Sequence, residues 1–158
     1  MSQASHSPVI ALQNPVEVAR ALVPLLADQA ERAETKRQAT DITVEALRAA
    51  GLFQMMFPRR SGGAGHQLIT QIETVAALAH GCPGTAWAFG LLAGGTASAA
   101  SMSAEVKSLV FRTGAELVCS VAGQIGAARA VEGGYVVDGA WGYASGCMHA
   151  DWALNGVR

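Results

Sequence analysis

The chain is short of charge, of cysteine and of any long apolar run. Only 15% of its 158 residues are Asp, Glu, Lys or Arg, and they balance to a net charge of −1. No basic footprint therefore invites nucleic acid or anionic lipid. Three cysteines, Cys82, Cys119 and Cys147, are odd in number and widely spaced, unlike a secreted disulfide framework. The opening stretch MSQASHSPVIALQNP has no basic segment followed by an apolar core, which argues against a secretory leader. The longest weakly polar run, TAWAFGLLAGGTASAA, is too short and too rich in Gly, Ser and Thr to span a bilayer. These absences point to a reducing cytoplasm and to a partner that is neither nucleic acid nor membrane.

What is present is apolar mass: 51% of the residues are hydrophobic, enough for one sizeable core at this length. Residues 1–14 read as a flexible lead-in. From Pro15, the positions Val16, Ala19, Leu22, Val23, Leu26, Ala30 and Ala33 recur at the spacing of one helix face, with Pro24 expected to kink it. The run ERAETKRQ reads as its solvated end. A second helix is expected from an Asp41 cap through Val44 and Leu47 to a stop at Gly51. FQMMFPRRSGGAG is expected to be irregular. A third helix, about 67–80, would bury Leu68, Ile72, Val75, Leu78 and Ala79. A fourth, TAWAFGLLAGGTASAASM, is apolar nearly all round, and a fifth opens on Ser103 as cap. After residue 115 the character changes to short β-type runs divided by glycines, with a hairpin turn at Gly133 and Gly134. The expected order is a helical domain, 15–114, followed by 115–158 as the beginning of an antiparallel β-domain, an α+β chain. A sheet edge with no successor is a poor place for a domain to end, so the chain reads as a fragment.

Several motifs are weighed against plainer roles. The glycines of SGGAGH and GQIGAAR open no helix after a strand, so tight turns suit them better than a dinucleotide or phosphate loop. Cys147, His149 and Asp151 alternate along one segment read as extended, but the other histidines are scattered, and no metal site is expected. Ser145 has no base at a fixed spacing. Trp87 is either core packing or the wall of a pocket. The region GGYVVDGAWGYASGCMHADW collects two of the three tryptophans of a chain with only 6% aromatic residues. That concentration raises the question of a pocket for something flat.

AAGLFQMMFPRRSGGAG, HGCPGTAWAFGLLAG and VCSVAGQIGAARAVEGGYVVDGAWGYASGCMHADW, in this order and spacing, resemble the acyl-CoA dehydrogenase superfamily. Within it they look most like the flavin-dependent monooxygenase branch, the oxygenase components of two-component aromatic hydroxylases. The resemblance covers about residues 15–158. Dehydrogenases of the superfamily typically carry Gly-Ser-Asp and Trp-Ile-Thr where this chain has Gly126-Ala127-Ala128 and WGYASG, which favours the monooxygenase branch.

The resemblance implies reduced FMN or FAD as cofactor, supplied by a separate flavin reductase, with O2 and a small aromatic substrate. It implies that Ser145 lies near flavin N5, with Tyr143, Ala144 and Gly146 shaping the surface beside it. Ser120 would line the junction of flavin and substrate, Ala122 and Gln124 would continue along the ring, and Trp87 would be the pocket tryptophan. Ser145 and Ser120 are the candidates for catalytic roles. Phenol hydroxylases of this branch often carry a histidine where LLAGGTA places Gly95, so a phenol held in that way is not expected. Family members continue through the sheet into a C-terminal helical bundle that completes the flavin site and mediates tetramer assembly. Two other readings stay open: an acyl-CoA dehydrogenase-like oxidoreductase, and a non-catalytic truncated helical module.

Overall fold

A computed structural model describes residues 14–61 and 63–158; the expected lead-in thus lies almost wholly outside the described residues. Helix α1 spans Pro15–Asp28 and α2 spans Ala30–Lys36. Asn14 caps α1 by accepting from Val16 N at 3.2 Å, and Pro15 occupies the first turn, where its missing N–H costs nothing. The helix runs through Pro24 and breaks instead at Gln29, five residues on. Ala19, Leu26 and Ala33 are buried on the face the spacing foretells.

Helix α3, Asp41–Ala49, is capped by Thr40 rather than by Asp41; Thr43 N donates to Thr40 Oγ1 at 3.4 Å. Asp41 sits one residue inside, where its charge still meets the positive helix end. Gly51, at φ 70°, ends the segment, as expected. A 3₁₀ turn at Leu52–Gln54 drops Leu52, Phe53 and Met55 into the core.

Helix α4, Leu68–Ala79, turns a different face inward from the one its apolar spacing suggests. Gln71, Thr74, Ala77 and Leu78 are buried, while Leu68, Ile69 and Ile72 are more than half exposed. Its inward face packs between α1 and helix α5, Pro83–Ala100. A Cβ on Gly90 would stand 3.0 Å from Val75, so α4 and α5 approach closely there. The buried Gln71 is satisfied by donating from Nε2 to Gly90 O at 2.7 Å. Helix α6, Ala104–Val110, opens on Ser103, whose hydroxyl accepts from Val106 N.

The core joins Leu26, Leu47, Leu78, Leu92 and Leu117 around the Phe53–Phe89 pair, whose ring centroids are 5.2 Å apart. Strands β1 (Val118–Val131), β2 (Gly134–Asp138) and β3 (Trp152–Val157) form a sheet in the order β2-β1-β3. The hairpin is antiparallel, with Val131 opposite Gly134, so the turn lies at Glu132 and Gly133, one residue earlier than expected. The β1–β3 pairing is parallel, which makes the sheet mixed rather than antiparallel throughout. The reason is the route taken by residues 139–151. They travel back past α5 and rejoin at the start of β1, where Asp151 N donates to Leu117 O at 2.9 Å. A crossover of that length is what a parallel pair requires.

Candidate functional site

The long connection between β2 and β3 builds the site. It is irregular from residue 139 to 146 and tightens into a 3₁₀ turn at Cys147–His149. Cys147, His149 and Asp151 therefore do not alternate along an extended segment. Among the described residues no three His, Cys, Asp or Glu side chains gather as a metal site would need.

Four anchors hold the loop against the helical layer and the start of β1. Trp87 Nε1 donates to Ser145 Oγ at 3.3 Å. Gly146, at φ 82°, passes so close above α5 that a Cβ on it would stand 2.4 Å from Leu92 Cγ. His149 Nε2 lies 2.9 Å from Ala39 O, and its Nδ1 is 3.6 Å from the exposed Asp41 carboxylate. Asp151 Oδ2 accepts from Leu117 N at 2.8 Å. Rigid helices thus fix an otherwise irregular backbone, the usual arrangement for a binding loop.

Between this loop, α2 and the start of α5 lies a cleft of about 660 Å³. Of the residues singled out from sequence, Trp87, Tyr143, Ala144, Ser145 and Gly146 all line it. Trp87 is no core residue: it is 64% exposed at the cleft wall. Tyr143 is fully exposed and has the left-handed φ of 61°, uncommon for a residue with a side chain. Ser120 and Ala122 are exposed on β1 and do not line this cleft. Ser120 Oγ lies instead beside Gly95, where a Cβ would come within 3.2 Å of it. The backbone of Gln124 belongs to β1, and its side chain lies outside the described residues.

The opposite wall was not legible in the sequence. Ala30, Ala33 and Glu34 of α2 with its C-cap Arg37, and Cys82 to Thr85 where α5 begins, complete the cleft. ERAETKRQ reads as a solvated charge run, and most of it is solvated; nothing in one sequence shows that a distant loop folds over it. Cys119, buried beneath the loop, has its thiol pKa raised by desolvation and further by the nearby Cys147. It is held as an inert thiol rather than as a nucleophile.

The loop could accept a flat, polar-edged ring. It offers small residues and the hydroxyls of Tyr143 and Ser145, and Gly142 has open space where a Cβ would stand. The cleft behind it is lined largely by apolar atoms.

Comparison with known proteins bears on this geometry. The family model for the acyl-CoA dehydrogenase N-terminal domain matches residues 16–111. The chain is 31% identical over 137 residues to the oxygenase subunit HsaA of a flavin-dependent monooxygenase from Rhodococcus jostii, covering 86% of this chain and 36% of that protein. It is 29% identical to the oxygenase component of p-hydroxyphenylacetate 3-hydroxylase from Acinetobacter baumannii, covering 98% and 37%. Among solved structures, XiaF from a Streptomyces species, in complex with FADH2 and glycerol, superposes with a TM-score of 0.83 at 29% identity, covering 89% and 36%. The chain thus spans a little over a third of the length of these relatives.

Proposed function

Because the chain belongs to the acyl-CoA dehydrogenase family, its N-terminal domain model matching residues 16–111, we propose that it works in a reduced-flavin-dependent monooxygenase. In this reading it is part of the oxygenase component of a two-component system that hydroxylates a small aromatic or polycyclic molecule. Residues 15–114 act as the helical domain and 115–158 as the β-domain portion. A separate reductase supplies reduced FMN or FAD in the cytoplasm, and the working protein is a homo-oligomer.

The observation that carries the reading is the junction of Trp87 with Ser145 at the edge of an apolar cleft. Bound reduced flavin would supply the electrons that activate O2 for insertion into the aromatic ring. The chain's own groups have simpler tasks. Ser145 presents a hydroxyl proton to a ring nitrogen, with Tyr143, Ala144 and Gly146 as the surface beside it. Ser120 and Ala122, on β1 outside this cleft, and Gln124 further along the strand are assigned to the flavin and substrate junction by the resemblance alone. Trp87 and the apolar wall keep water from the reacting atoms, which protects a reactive oxygen species from decay. The match to oxygenase components at about 30% identity supports this branch over acyl-thioester oxidation.

The deciding experiment supplies reduced FMN or FAD and O2 to the protein with a panel of phenols and polycyclic aromatics. Hydroxylated product formed in proportion to flavin consumed is the expected result. Peroxide alone with every aromatic, or anaerobic bleaching of bound oxidised flavin by an acyl thioester, would sink the proposal.

A further inference from the structure

Trp87 is a large apolar side chain, mostly exposed, whose indole N–H makes a polar contact with Ser145. An indole N–H can only donate, whereas a serine hydroxyl accepts two hydrogen bonds and donates one. The 3.3 Å contact therefore makes Ser145 Oγ the acceptor on the side facing α5. Two protons cannot share that line, so the serine O–H is turned away from the helix. Among the described residues, no acceptor receives it. The position of the oxygen is set separately by the loop. Ser145 N donates to Tyr143 O at 2.8 Å, and Gly146 is pressed against Leu92.

We propose that Trp87 is a positioning residue: its N–H fills the helix-facing lone pair of Ser145 and so aims the serine proton outward as a hydrogen-bond donor to a planar ligand. The identity of that ligand as a flavin rests on the function proposed above; the orientation of the hydroxyl does not. The division of labour has a physical advantage. A free hydroxyl rotor would spend much of its time donating to water, and ordering it on binding would cost entropy. A rotor preset by a helix-mounted donor has less freedom left to lose.

Two measurements on the chain test this. Its three tryptophans give three indole ¹H–¹⁵N resonances, and Trp87→Phe identifies the one in question. Ser145→Ala should move that resonance upfield in both dimensions, and an unmoved resonance would overturn the proposal. The second measurement titrates oxidised FMN by fluorescence quenching. Trp87→Phe and Ser145→Ala should each weaken binding about three- to tenfold, the range of one hydrogen bond, and the double variant should be no weaker than the weaker single. Losses that multiply in the double variant would mean that the two residues act independently, and the proposal fails. A wild-type chain that takes up no FMN while the indole resonance still responds to Ser145→Ala upholds the orientation and counts against the flavin. Circular dichroism confirms that each variant is folded.

Discussion

Val118 N donates to Thr96 Oγ1 at 2.9 Å, and the same hydroxyl donates to Leu92 O at 2.6 Å. One buried side chain thereby bolts the first residue of β1 onto the C-terminal half of α5. The strand that carries Ser120 and the helix that carries Trp87 are registered by this bolt. Thr96→Val keeps the shape but strands the Val118 N–H in a fully buried place. It should cost about 2 kcal/mol, the penalty of an unsatisfied buried donor. Thr96→Ser retains both bonds and should cost less. Urea melts of the two variants compare them directly, and a Thr96→Val loss no larger than that of Thr96→Ser would refute the dominant role given to the hydroxyl.

Gly95 sits next to that bolt. A Cβ on it would stand 2.4 Å from Val118 O, so no side chain fits unless helix and strand separate. Gly95→Ala should therefore destabilise by about 2–3 kcal/mol through overpacking. Gly94→Ala is the control, because its Cβ would meet Gln71 Nε2 at an ordinary 3.9 Å. That change should stabilise by up to about 1 kcal/mol through helix propensity. Thermal melts giving both substitutions the same sign would refute the close-approach argument.

Much of this was legible locally, because local chemistry decides it. The Ser103 cap, the Gly51 stop, the hairpin near Gly133 and the buried face of α1 each follow from a few neighbouring residues. What failed depended on tertiary neighbours. The inward face of α4 is set by packing on α1 and by the close approach to α5 at Gly90, so Gln71 is buried while Leu68 and Ile72 are exposed. The parallel pairing of β3 depends on where residues 139–151 return, a matter of Asp151 meeting Leu117. For the site, WGYASG and Trp87 stood out by composition and resemblance. The α2 wall carried no signal, since Ala33 and Arg37 look like any helix end. Ser120 was grouped with Ser145 through the resemblance, yet it faces Gly95 outside the cleft.

Glu116 closes the turn between α6 and β1. Its carboxylate accepts from Arg112 N, Thr113 N, Thr113 Oγ1 and Gly114 N at 2.9–3.1 Å. Partial burial works against its charge, but these donors outweigh it and hold the pKa below the usual carboxylate value. A group lowered in the folded state contributes stability above its unfolded pKa and loses it as pH falls through the folded one. Glu116→Gln should thus cost about 1 kcal/mol at pH 7, the scale of a hydrogen bond to a charged group discounted for exposure. At a pH well below about 4, the unfolded carboxylate value, the difference should fade. Melts of both proteins at the two pH values check this; a difference that persists in acid would assign the effect to packing.

Tyr143 tests whether the loop stores strain for binding. Its side chain is fully exposed and its φ is 61°, so it keeps the left-handed backbone without any burial in return. That conformation costs a residue with a Cβ about 1–2 kcal/mol, whereas glycine adopts it freely and gives back about 0.5–1 kcal/mol in unfolded-chain entropy. Tyr143→Gly should therefore raise stability by up to about 1 kcal/mol, and Tyr143→Val, with a branched Cβ, should lower it. If the phenol ring forms part of the ligand surface, the more stable glycine variant should also bind oxidised flavin more weakly. A gain in stability with undiminished binding would remove Tyr143 from the site and leave its backbone conformation a consequence of the tight turn into Ser145.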